Sequence, residues 1–191
     1  RPPAARAAGN MEKTVLSVVT PVVHLHAAQA DRPTGDDDLL RLQQDIADFR
    51  AGRLHETAFT AKRVKMGVYL ERNRSSYMCR IRCSGNIITP KQLAGTAALA
   101  GIYGNGIVRV TTRAEVQLHG IEEKYLIAVL RRLKEINLSC KGGGGNTVRN
   151  IIANHDSGIS NEEVFDVQPC LLALTERLLG ESDSWNLPRK V

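Results

Sequence analysis

The chain has no run of about 20 apolar residues, the length that a membrane-spanning helix needs. Its most apolar stretch, Thr14 to Ala28, is interrupted by Pro21, His24 and His26, and Glu12 dilutes the positive start that a signal peptide would show after Met11. Cysteine is scarce. Cys79, Cys83, Cys140 and Cys170 include no CxxC pair and no zinc-type spacing, which argues against a disulfide framework or a finger in a chain of 191 residues. Aromatic residues make up 4% of the chain, which weighs against a sheet that stacks bases. There is no Walker loop, no dinucleotide fingerprint, and no Ser-His-Asp or paired-carboxylate set. These absences predict a globular protein in a reduced, cytoplasmic setting with no membrane partner.

Positive charge is what the chain does have: 26 Lys and Arg against 20 Asp and Glu, for a net charge of +6. Such a balance attracts nucleic acid, an acidic protein or a multiply charged small molecule, and charge alone does not choose among them. A hydrophobic content of 42% is enough to build a core.

Residues 1–35, with the low-complexity start RPPAARAAGN, are predicted to be disordered or extended. Residues 36–76 read as a helix and a basic loop leading into the core. Leu39, Leu42, Ile46 and Phe49 recur at helical spacing behind Asp36, Asp37 and Asp38, whereas residues 60–74 read as loop with a short strand at Val68 to Leu70.

Residues 77–140 read as a ferredoxin-like half-domain. Tyr77 to Cys83 alternates as a strand, with Tyr77, Cys79, Ile81 and Cys83 on a core face and Met78, Arg80 and Arg82 on a basic one. Thr89, Pro90 and Gln92 form a capping box with proline in the first turn of a helix that ends before Gly104. Two short strands, Ile107 to Thr111 and Val116 to His119, and an amphipathic helix over Glu122 to Ile136 follow. The order β-α-β-β-α lacks one strand of a ferredoxin-like unit, which Leu138 to Cys140 or the segment after the glycines is expected to supply. Residues 141–191 read as the start of a second α+β domain. In it, Ile151 to Ala153 is a strand candidate, Ser160 and Glu163 a capping box, and the leucines from Leu171 to Leu179 a helix entered near Pro169.

Arginines carry the chemical signal. Arg80, Arg82, Arg109, Arg113 and Arg149 read singly as exposed charge and jointly as a carboxylate-binding pocket, because guanidinium groups bind such oxygens bidentately. Gly142 to Gly145 reads as either a ligand-approaching loop or a flexible hinge. His119 reads as a satisfied strand histidine, and Cys79 and Cys83 as buried core thiols.

The stretches GVYLER (67–72), YMCRIR (77–82), TPKQL (89–93), RVTTR (109–113), QLHG (117–120), GNTVRN (145–150) and NLPRK (186–190), at compatible spacing, resemble the sirohaem-dependent nitrite and sulfite reductases. The resemblance covers about Phe49 to the end. It implies a six-electron reduction of nitrite to ammonia or sulfite to sulfide, at sirohaem coupled to a [4Fe–4S] cluster and fed by a donor such as ferredoxin or a flavoprotein. It places Arg80, Arg149 and Lys190 against the substrate anion, and Arg109, Thr111, Arg113, Gln117 and His119 at the cofactor carboxylates. The family's four cluster cysteines lie downstream of the Leu-Pro-Arg-Lys motif, so no metal ligand is expected in this chain and the fragment is expected to be inactive alone. Asn154-His155 also departs from the family's Cys-Pro. Two other readings stay open: a basic ferredoxin-like domain that binds nucleic acid, and a half-domain without catalysis.

Overall fold

The computed structural model describes residues 34–188. The segment before Thr34, read as disordered or extended, lies outside the described residues, as does Lys190. Thr34 itself is buried, with its hydroxyl 3.1 Å from that of Ser139.

The first helix, α1 (Asp36–Arg50), buries Leu39, Leu42 and Ile46, the stripe that its spacing predicts. Its acidic first turn complements the positive end of the helix dipole and is met by Lys134 on Asp36 and Lys141 on Asp38, at 2.7 and 2.8 Å. A second helix, α2 (Glu56–Lys65), corrects the expected loop. It shows no apolar period because its inner face is Phe59 and Arg63. Phe59 stacks on Phe49 at 4.6 Å, and Arg63, 6% exposed, lies 5.8 Å and 5.6 Å from the centroids of Phe59 and Tyr77 while donating to the Val68 carbonyl at 3.0 Å. An arginine satisfied in this way sits on a core-facing surface without leaving a hydrophobic signature.

Four antiparallel strands follow: β1 (Val68–Leu70), β2 (Tyr77–Ile81), β3 (Val108–Val110) and β4 (Val116–Ile121), in the spatial order β1-β2-β4-β3. The fold is α+β and ferredoxin-like. The closing strand, expected after the last helix of the unit, comes instead from before it. β1 pairs with β2, Val68 opposite Cys79 and Leu70 opposite Tyr77. Leu138 to Cys140 runs beside the end of β2, joined to it by Arg82 N–H donating to the Ser139 carbonyl, and forms no strand.

Helix α3 (Pro90–Tyr103) connects β2 to β3, and α4 (Leu126–Glu135) follows β4. The capping box forms as read: Thr89 Oγ1 accepts from Gln92 N–H, and Gln92 Oε1 accepts from Thr89 N–H. Leu126, Val129, Leu130 and Leu133 of α4 are buried with Val68, Cys79, Ile81, Val116, Leu118 and Ile121 of the sheet. Each such side chain contributes about 1.5–3 kcal/mol relative to exposure.

Beyond the glycines, residues 151–153 form no strand and Ile152 is about half exposed, which corrects that expectation. Ser160 and Glu163 start no helix either. The Glu163 carboxylate accepts from Ser157 Oγ and Gly158 N–H, so it closes a local turn instead. The last helix, α5 (Gln168–Gly180), has proline in its first turn as expected. Among the described residues no helix is long and apolar enough to cross a membrane.

Candidate functional site: an arginine-rich sheet face

Strand register places Arg80 opposite Gln117 and Gln117 opposite Arg109, so three polar side chains form one row across β2, β4 and β3 on the face turned away from the leucines. The Gln117 amide joins its neighbours: its oxygen accepts from Arg80 Nε and Nη2 at 3.2 Å, and its nitrogen donates to His119 Nε2 at 3.2 Å. His119 Nδ1 in turn donates to Glu71 Oε1 at 2.7 Å. Desolvation opposes ionisation of Glu71, but hydrogen bonds from Ser76, His119 and Gly120 outweigh it and hold the carboxyl below its ordinary pKa. Tyr69, on β1, packs its ring 4.8 Å from the Arg80 guanidinium.

A second wall comes from the β3–β4 turn and the glycine-rich loop. Thr111 Oγ1 accepts from Arg113 N–H and Glu115 N–H, at 3.3 and 3.1 Å, which folds the turn and leaves the Arg113 side chain exposed. Asn150 clamps the loop to that turn by donating to the carbonyls of Arg113 and Cys83 at 2.9 and 3.0 Å. Arg149 comes with it, 9% exposed, with an Nε that has no hydrogen-bond partner. Glu115 lies beneath, its Oε2 3.9 Å from Arg80 Nε. Burial raises the Glu115 pKa, against the opposing charges of Arg80, Arg149, Arg82 and Arg113.

The glycines take a role that neither sequence reading anticipated. A Cβ on Gly143 would stand 2.6 Å from the Arg80 carbonyl and 2.9 Å from that of Cys140; one on Gly144 would collide with the Tyr69 hydroxyl and the Val64 carbonyl. The loop is bare so that it can lie against the protein's own strands. Arg82 secures it. Only 2% exposed, it donates to the Val148 carbonyl at 2.8 Å and points at those of Gly142 and Arg149, and so belongs to the scaffold and not to an open basic face.

The structure therefore gathers Arg80, Gln117 and Arg109 in one row, with His119 bonded to Gln117, and sets Arg80 beside a buried carboxyl on which the charges of Arg149 and Arg113 also act; Thr111 shapes the turn that carries Arg113. Sequence reading missed Glu115, although its place two residues before Gln117 and four before His119 put all three on one strand face. Exposed Arg109 and Arg113 and the unpartnered Arg149 Nε suit a multiply anionic ligand such as a tetrapyrrole polycarboxylate. Cys79, Cys83 and Cys140 are buried in the core and form no disulfide, and a hydrogen bond with Cys79 together with burial pushes the Cys140 thiol up. Cys170 is exposed on α5.

Residues 69–136 match the nitrite/sulfite reductase ferredoxin-like half domain. The chain is similar to the assimilatory ferredoxin-dependent nitrite reductase of Haloferax mediterranei, 29% identical over 136 residues that make up 65% of this chain and 23% of that protein. It is similar too to the ferredoxin–nitrite reductase of Synechococcus elongatus, 32% identical over 60% of this chain and 23% of that protein, and to sulfite reductase [ferredoxin] 2 of Mycolicibacterium paratuberculosis, 29% identical over 60% and 20%. The solved structure of the Mycobacterium tuberculosis NirA protein superposes with a TM-score of 0.68 at 21% identity, over 80% of this chain and 32% of that one, and shares the fold. The chain thus spans roughly a fifth to a third of the length of these relatives.

Proposed function

Because residues 69–136 constitute a nitrite/sulfite reductase ferredoxin-like half domain and the chain is a distant homologue of the ferredoxin-dependent enzymes, we propose that it forms one wall of the active site of an oxidoreductase that reduces nitrite to ammonia or sulfite to sulfide. Sirohaem, coupled to a [4Fe–4S] cluster, supplies the six-electron chemistry when bound. The names of the relatives point to ferredoxin as the electron donor.

The residues divide by what the geometry leaves open. Arg80 and Arg149 hold the substrate oxyanion, together with Lys190. Their charge is worth most where it is already oriented and shielded from water, because little reorganisation remains when negative charge arrives. Arg109 and Arg113, the exposed guanidiniums, take cofactor carboxylates. Gln117 and His119 act within the row that orients Arg80, and Thr111 acts by shaping the turn that presents Arg113. The observation that carries this reading is Arg80 standing 3.9 Å from the buried Glu115 carboxylate, on which the charges of Arg149 and Arg113 also act, with the buried Arg149 Nε still unpaired.

The test is to produce the longest gene product that contains these 191 residues in a host making sirohaem, and to record its visible spectrum and its nitrite and sulfite turnover. A Soret-type band and turnover that collapses in Arg149→Ala are expected. A well-folded product with neither tetrapyrrole nor iron would sink the proposal.

A further inference from the structure

Glu115 is 1% exposed, and an acidic side chain so deeply buried is rare unless paired. Its pairing is incomplete. Oε2 stands 3.9 Å from Arg80 Nε, and Oε1 has no hydrogen-bond partner. The guanidinium of Arg80 on β2 stands nearest, and the positive charges of Arg149 in the glycine-rich loop, Arg82 just past β2 and Arg113 in the β3–β4 turn also act on the carboxyl. Arg82 is committed to backbone carbonyls. Arg149 keeps an unpaired buried Nε, so an orphaned acceptor and an orphaned donor share one cluster, where buried polar atoms are ordinarily satisfied.

Like charges drawn together in a poorly hydrated place repel strongly unless a charge of opposite sign lies among them. Glu115 is in that position, and it is not saturated by the contacts it makes. We propose that Glu115 is the internal counter-ion of the arginine cluster, preassembling Arg80, Arg113 and Arg149 and competing with an incoming oxyanion for their donors. It thereby sets the net positive charge the site presents and lowers its preference for dianions over monoanions, a distinction that separates sulfite-like from nitrite-like ligands. This rests on the reading of the cluster as an anion site, but not on the identity of the cofactor.

The full chain and its Glu115→Gln, Glu115→Asp and Arg149→Gln variants can be titrated with sodium sulfate or sodium nitrate at constant ionic strength, following the arginine Nε–H resonances. Glu115→Gln is expected to bind sulfate about tenfold more tightly than wild type, with a smaller gain for nitrate, since the attraction scales with ligand charge. Glu115→Asp should stay near wild type. Equal or weaker sulfate binding by Glu115→Gln, with binding lost in Arg149→Gln, would overturn the role of Glu115 and leave the anion site standing. Sulfate binding that is absent, or indifferent to Arg149→Gln, would overturn both. Should Glu115→Gln fail to fold, sulfate must restore its helical circular dichroism; failure of that rescue, with Glu115→Asp folded, would count against the proposal.

Discussion

His119 Nδ1 lies 2.7 Å from Glu71 Oε1, a contact that ties the turn after β1 to β4 and starts a hydrogen-bonded row running through Gln117 to Arg80. Glu71 is the fixed end, since Ser76 Oγ and Gly120 N–H also donate to it at 2.5 and 3.1 Å.

That arrangement has a pH signature. The folded-state pKa of Glu71 is depressed, so its contribution to stability is present above the unfolded carboxyl value of about 4.3 and is lost as pH falls through the lower folded value. Melting temperatures measured from neutral pH down to the acid limb should fall less steeply in Glu71→Gln than in wild type. Parallel curves would remove Glu71 from this account.

The alkaline limb tests a different residue. Burial, then the charge and hydrogen bond of Glu123, push the Tyr77 hydroxyl up to about 12. A raised folded value means that the stabilisation holds below about 10 and is lost as pH rises from there through about 12. Tyr77→Phe should therefore flatten the loss of stability above pH 10, as read by denaturant midpoints.

Two arginines that look alike in sequence should behave differently. Arg82→Ala removes a buried charge from three carbonyls and is expected to destabilise by about 3 kcal/mol in equilibrium unfolding. Arg109→Ala, on the exposed edge strand, should change stability by less than about 0.5 kcal/mol. Similar values for the two would contradict the division between scaffold and ligand-facing cations.

Glycine positions offer another contrast. Gly143→Ala meets two backbone carbonyls and should cost about 1–3 kcal/mol. Gly101→Ala, inside α3 with open space where its Cβ would go, should gain about 0.5–1 kcal/mol. Chemical denaturation of both variants checks the sign.

The elements visible in the sequence were those whose burial follows a single period. α1, α3 and α4 carry apolar stripes or capping residues, and β2 and β4 alternate, so these elements could be read from spacing, whereas the row Arg80, Gln117, Arg109 depends on strand register and could not. α2 could not, because Phe59 and Arg63 share its buried face and a satisfied cation carries no apolar signal. The placement of β1 beside β2 depends on a pairing that three residues do not specify. Composition likewise leaves Gly142 to Gly145 either a loop that approaches a ligand or a hinge, and does not show that the backbone lies against the carbonyl of Arg80. Glu115 was hidden beside turn residues, where an acid is ordinarily solvated.

The upstream origin of β1 also bears on the order of assembly. All four strands lie between Val68 and Ile121, so during vectorial synthesis the sheet can pair completely before the glycine-rich loop emerges. Until that loop arrives, Arg82 has none of its carbonyl partners there. The loop's docking would then be a late folding step that converts a hydrated cation into a buried fastener, bringing Arg149 to the sheet in the same movement.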